Sequence, residues 1–149
     1  MHAVATTGAG FLLAVLWFDL MFDVQVRGDK GPVLPAEILD SIAAYYRRVT
    51  TEARPMNRLV SITMLATLLA IVIEIAQGAG PLWQSVLSLL LLVGAIGLAL
   101  ARTFRNAAML GRGTGAPEFR SRLARLIYRD HLCCLAAIVL VIGFRLAGA

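Results

Sequence analysis

The chain has 149 residues, of which 59% are hydrophobic and only 15% charged, with a mean hydropathy of +0.78. Soluble domains carry about 25% charged and about 45–50% apolar residues, so this composition cannot clothe a globule in a hydrated surface, and a water-soluble domain is excluded. The net charge is +5; no basic face interleaved with aromatics accompanies it, so anionic lipid headgroups account for it as partners and nucleic acid is not required.

A bilayer core about 30 Å thick is crossed by about 20 helical residues, and four segments approach that length. They run from about Ala5 to Val26, about Leu59 to Gln77, Pro81 to about Leu100, and about Ile127 to Leu146. The expected fold is all-α: a single integral membrane domain over residues 1–149, built as a four-helix bundle. Runs this long without dyad alternation are not barrel strands, and only helices satisfy their own backbone amides in lipid. Span one has no Lys or Arg before its apolar run and is interrupted by Asp19, which argues against a cleaved signal peptide.

The first connection, residues 27–58, contains Leu34-Pro35-Ala36-Glu37, a helix start with proline in the first turn. Ile38, Leu39, Ile42, Tyr45, Tyr46 and Val49 follow at helical spacing, which predicts an amphipathic helix on the membrane surface or capping the bundle. Pro55 and Asn57 are expected to mark its end. Spans two and three are separated only by Gln77-Gly78-Ala79-Gly80-Pro81 and must be antiparallel neighbours. Span three carries Gly94, Gly97, Ala101 and the Ala95-x-x-x-Ala99 pair, small residues that admit close approach of another backbone, from this chain or a partner. The last connection, residues 102–126, begins with a basic stretch and turns at Gly111-Arg112-Gly113-Thr114-Gly115, where no preceding strand supports a phosphate loop. Pro117-Glu118 starts a helix whose Phe119, Leu123, Leu126 and Ile127 run on into span four. Cys133 and Cys134 are adjacent near its start and read as free thiols in a helix interface. Trp83, beside Pro81, reads as an anchor at the outer interface; Trp17 either packs in the bundle or faces lipid.

Thirteen of the fourteen basic residues fall in or beside the two long connections: Arg27, Lys30, Arg47, Arg48, Arg54 and Arg58 after span one, and Arg102, Arg105, Arg112, Arg120, Arg122, Arg125 and Arg129 after span three. Four spans place both connections on one side, and positive loops stay in the cytosol, which puts the N- and C-termini outside and the protein in a bacterial-type cytoplasmic (inner) membrane.

Ionisable residues inside a span are costly and must meet protein or water. Asp19 and Asp23 share one helix face by their i, i+4 spacing. Counting back from Arg145, taken to snorkel at the outer end of span four, puts Asp130 and His131 at a similar inner-leaflet depth. Arg58, Arg102, Arg105 and Arg129 complete a polar layer drawn from all four spans. Two readings stand side by side. In one, Arg–Asp pairs lock the helices in register. In the other, His131 and the span-one carboxylates bind a quinone-like headgroup, a proton or a metal; a single histidine among arginines speaks against the metal, and no cofactor is assigned. Glu74 lies at the depth of Arg145 and is expected to pair with it, with proton coupling as the alternative.

Trp17-Phe18-x-x-Met21-Phe22 closing span one, Tyr45-Tyr46-Arg47 in the amphipathic helix and Arg102-x-x-Arg105-Asn106 closing span three resemble small four-helix bacterial membrane proteins of the anthrone oxygenase-like type. CopD-like proteins share the layout but place histidines inside the spans, whereas spans one to three here have none in their interiors. The oxygenase-like resemblance implies cofactor-free oxidation of a flat aromatic substrate, with Asn106 and His131 as candidate positions. The leading expectation from the residues is a non-catalytic membrane protein, standalone or an accessory subunit, in a homo-oligomer or with other membrane subunits. A membrane oxidoreductase-like enzyme acting on a hydrophobic aromatic or quinone-like substrate at the inner-leaflet layer is second, and a small transporter third.

Overall fold

A computed structural model of the protein describes residues 1–147, and every regular element in them is helical. In chain order these are α1 (His2–Asp23), α2 (Ala36–Arg47), α3 (Arg54–Gln77), α4 (Leu82–Leu98), α5 (Phe104–Gly111) and α6 (Pro117–Ala147). A π-helical turn at Arg48–Glu52 follows α2, and a second at Ala99–Thr103 joins α4 to α5 into one rod of 30 residues. Four helices are long and apolar enough to cross a membrane: His2–Arg27, Pro55–Gln77, Leu82–Gly111 and Pro117–Ala147. They form a multi-pass bundle in which α1 packs against α3 and α6, and α4 against the same two, so that α1 faces α4 across one diagonal and α3 faces α6 across the other.

Burial in this bundle is the reverse of a soluble protein's. Trp17, Phe18, Leu65, Leu90, Val139 and Leu140 point outward, while Asp23, Glu74, Asp130 and Arg145 are buried. That is the arrangement expected when the solvent is hydrocarbon and every polar group needs a protein partner. Two apolar cores result. Ala5, Ala9, Leu12, Ile71, Leu92, Ile138 and Val141 pack between the spans. Leu39, Ile42, Leu110, Ala124 and Ile127 pack where α2 rests on α5 and α6. Asp23 on α1 and Asp130 and His131 on α6 fall between these two cores.

Several boundaries differ from those expected. Residues 102–111, read as part of a connection, continue the third long helix, because no glycine or proline interrupts them before Gly111 and Ala107 and Leu110 recur on a face that α2 covers. Pro55 lies in the first turn of α3, where a missing amide proton costs nothing, and does not terminate α2, which ends eight residues earlier at Arg47. Close backbone approach is written into two glycines. A Cβ on Gly8 would collide with Thr67 Oγ1, and one on Gly111 would stand 2.7 Å from the backbone nitrogen of Arg47. The first lets α1 and α3 touch; the second lets α2 dock on α5.

The two long connections meet at one end of the bundle. The amide of Leu34 donates to Ser121 Oγ at 2.9 Å, the Arg125 guanidinium donates to the carbonyls of Asp29 (3.2 Å) and Gly31 (2.5 Å), and Arg120 pairs with Asp40 at 2.8 Å. The chain's N-terminus, the α3–α4 turn and the end of α6 occupy the other end, where His2 Nε2 lies 2.9 Å from the carbonyl oxygen of Arg145.

Candidate functional site

The acids of α1 face outward from its helix toward α2 and α6, one turn apart. Tyr46 donates its hydroxyl to Asp23 Oδ1 at 2.6 Å, and Tyr45 donates to Asp19 Oδ1 at 2.6 Å. Neighbouring positions on α2 thereby reach acids spaced four residues apart on α1, and Tyr45 stacks on Phe22 with ring centroids 4.0 Å apart. Burial first, and then the facing carboxylate, push both tyrosine hydroxyls well above their usual range, so each remains a protonated donor throughout the physiological range.

His131 on α6 completes the group. Its Nδ1 lies 2.6 Å from Asp23 Oδ2, and its Nε2 lies 3.9 Å from Asp19 Oδ2. Asp23 is fully buried and accepts from both Tyr46 and the imidazole, so it orients the ring as a carboxylate orients the histidine of a catalytic pair. When the ring is neutral, this bond keeps the proton on Nδ1 and leaves Nε2 as a bare acceptor beside Asp19. The 3.9 Å gap is too long for a direct hydrogen bond and the right width for one small polar group to touch both atoms.

That gap opens into a pocket of about 570 Å³ between α1, α2, the start of α3 and α5, with His131 at its floor. A smaller lobe of about 70 Å³ shares Asp19 and His131 and runs on between the spans along Leu12, Leu92 and Ile138. Most of the lining is apolar or aromatic. The rim residues Phe18, Met56 and Phe104 are 61%, 51% and 43% exposed, so the opening is framed by apolar side chains. Both π-helical turns border the pocket, one through Thr50 and the other through Thr103; such turns break the regular helical spacing and re-aim side chains.

The polar layer read from the sequence is split in two. Asp130, 1% exposed, is held by a bidentate pairing with Arg102 and by Thr103 Oγ1 at 3.2 Å, which ties the α4–α5 junction to α6. Asp19, Asp23 and His131 form the pocket group. Arg58, Arg105 and Arg129 are exposed, and among the described residues none of them forms an ion pair with these acids, because their helices turn them away from the bundle axis. Asn106 is buried beside Ala107 and is not among the residues lining the pocket. At the opposite end Glu74 and Arg145 form a buried ion pair across the α3–α6 diagonal, so Arg145 turns into the bundle and does not snorkel. Cys133 is exposed and Cys134 buried, its thiol 3.6 Å from the carbonyl oxygen of Ala95. Among the described residues no group of three His, Cys, Asp or Glu is placed to hold a metal ion.

The tyrosine partners were not assigned to the layer by sequence reasoning. Their signal was present: two adjacent polar-tipped aromatics on an otherwise apolar face of α2 have to find acceptors when that face is buried. Comparison with protein-family models, curated proteins and solved structures finds no match to this chain.

Proposed function

We propose that this multi-pass membrane protein binds a bilayer-soluble amphiphile of the hydrophobic aromatic or quinone-like class, with its polar end seated between Asp19 and His131. The observation that carries this reading is a pocket of about 570 Å³ that joins an apolar rim to an oriented His–Asp pair at its floor. The volume falls within the range of about 300–1,000 Å³ common to small-molecule sites, and mostly apolar walls with a few convergent polar groups are the usual makeup of such sites. The flanking basic connections support a reading in which the pocket lies at the cytosolic leaflet of a bacterial-type inner membrane, with both termini outside. In this reading His131 Nε2 serves as the proton acceptor or donor for the bound group, Asp23 is its positioning residue, and Arg102–Asp130 is structural.

The test is extraction of the protein from membranes into nanodiscs, followed by mass analysis of co-purifying lipids and small molecules. The expected result is a stoichiometric ring-bearing amphiphile that is lost in Val60→Trp, a substitution that fills the space shared by the two lobes. Equal recovery from Val60→Trp and the parent would refute it.

An accessory-subunit role is supported by a separate feature. Gly94 and Gly97 lie on the exposed side of α4, with nothing within 4 Å of a Cβ built on either. A second helix could approach closely there. Cysteine cross-linking through positions 94 and 97 tests that role, and a chain that remains monomeric and uncross-linked in nanodiscs would refute it.

A further inference from the structure

The hydrogen-bonding polarity of the pocket is settled by where its hydroxyl protons go. Tyr45 gives its proton to Asp19 and Tyr46 gives its proton to Asp23. Thr50 donates to the carbonyl of Tyr46 at 2.6 Å, Ser61 to the carbonyl of Asn57 at 2.9 Å, and Thr103 to Asp130. Every hydroxyl lining the larger lobe is therefore already committed to a protein acceptor. Among the described lining residues, and with the imidazole neutral, the remaining side-chain donor is the amide of Asn57, exposed at the rim and turned to the carbonyl of Thr50 at 3.4 Å. What the floor presents to a visitor is the Asp19 carboxylate and the imidazole Nε2.

From this we infer that the ligand enters with a hydroxyl group as a hydrogen-bond donor, so that the pocket takes a phenol or hydroquinol in preference to the corresponding quinone. The inference rests on the pocket being a site for a ring-bearing amphiphile. With the ring neutral, a carbonyl oxygen placed in the gap would face a carboxylate oxygen and a bare nitrogen, acceptor against acceptor, and lose the water it had outside; with the ring protonated it could accept from Nε2–H but would still meet the Asp19 carboxylate with no proton to give. A hydroxyl oxygen placed there reaches both atoms, donating to Asp19 Oδ2 or to Nε2. It also suits both states of the ring, since it can accept from Nε2–H while donating to Asp19 when the imidazole is protonated. An ammonium group cannot accept, and suits only the neutral ring. The apolar lining and the stacked Phe22–Tyr45 pair match the ring that carries the hydroxyl.

The experiment is equilibrium binding to the full chain in nanodiscs, under reducing anaerobic conditions where needed. Four probes sharing one alkyl-substituted ring are compared: the 1,4-hydroquinone, its oxidised quinone, its dimethyl ether, and an analogue with an alkylammonium in place of one hydroxyl. The expected order puts the hydroquinone first, about tenfold or more tighter than the quinone and the ether, the size of effect for one hydrogen bond to a charged acceptor. In Asp19→Asn, which supplies an amide donor to the same gap, this preference shrinks or reverses toward the quinone. If quinone or ether binds the parent as tightly as the hydroquinone, the donor assignment is overturned while the site stands. Tighter binding of the ammonium overturns it in favour of a cation. If no probe binds, or Val60→Trp binds all four unchanged, the site itself fails.

Discussion

Replacing Asp23 by asparagine tests whether the buried carboxylate sets which imidazole nitrogen of His131 faces the pocket. In the parent, Asp23 accepts from the Tyr46 hydroxyl and from His131 Nδ1, both at 2.6 Å, and has no exposed surface. An asparagine has one oxygen and one amino group for these two neighbours. If its oxygen keeps Tyr46, its amino group must donate to Nδ1, and the imidazole proton moves to Nε2. If its oxygen keeps Nδ1–H, the Tyr46 hydroxyl proton is left buried without an acceptor, at a cost of about 1–3 kcal/mol. That difference biases the Asp23→Asn variant toward the Nε2–H tautomer by about five- to a hundred-and-fiftyfold. Nitrogen NMR of histidine-labelled protein reads this directly, because the chain has only two histidines and His2→Gln removes the other. Over a pH series, the nitrogen that becomes bare as the ring loses its proton is Nε2 in the parent and Nδ1 in Asp23→Asn. Adding Tyr46→Phe to the variant removes the orphaned proton and returns a mixture of tautomers. A parent ring that deprotonates at Nδ1, or an Asp23→Asn variant indistinguishable from the parent, would refute the orienting role of Asp23.

The remaining predictions concern the structure around the site. Glu74→Ala strands the Arg145 guanidinium in the bundle and should destabilise the protein by about 3–5 kcal/mol, read as a fall in the thermal midpoint of the nanodisc-embedded chain. The double variant Glu74→Leu/Arg145→Met should recover most of that loss, because Glu74 Oε1 and Arg145 Nε lack partners among the described residues; a double variant as unstable as the single one contradicts this. Gly111→Ala forces α2 away from α5 and should cost about 1–3 kcal/mol. Because Tyr46 moves with α2, amphiphile binding should weaken as well, and unchanged binding would separate the α2 contact from the site. Alkaline titration followed by tyrosinate absorbance should be the same up to about pH 10 in the parent and in the Tyr45→Phe/Tyr46→Phe variant, since both hydroxyls keep their protons there. The stability these two groups contribute through their raised values is fully present below about pH 10, where tyrosines of an unfolded chain also keep their protons, and falls as the pH climbs beyond it.

How much of this was legible beforehand depends on the range of the interaction involved. The four spans, the short α3–α4 turn, the helix opening at residues 34–37 and the run of α6 from Pro117 follow from local composition and from breakers, which act within a few residues. The partition of the polar layer does not. Depth along a helix can be counted from a boundary, and it placed Asp19, Asp23, Asp130 and His131 together and Glu74 level with Arg145. The angle about the helix axis cannot be counted that way once π-helical turns at 48–52 and 99–103 shift the register, and that angle sends Arg102 to Asp130 while Arg105 and Arg58 face outward.

The amino-acid order alone therefore determines that lipid surrounds this chain, how many times a helix is long enough to cross it, and which rare charged residues need partners, because each of these is a property of single side chains and of windows of about twenty residues. Only the tertiary packing decides that Tyr45 and Tyr46 cap the two acids of α1, that His131 is turned by Asp23 with its other nitrogen open, and that a pocket lies beside them. These depend on the rotation of α1, α2 and α6 about their own axes. That rotation is set by close contacts such as Gly111 against Arg47 and Gly8 against Thr67, between residues more than fifty positions apart in the chain.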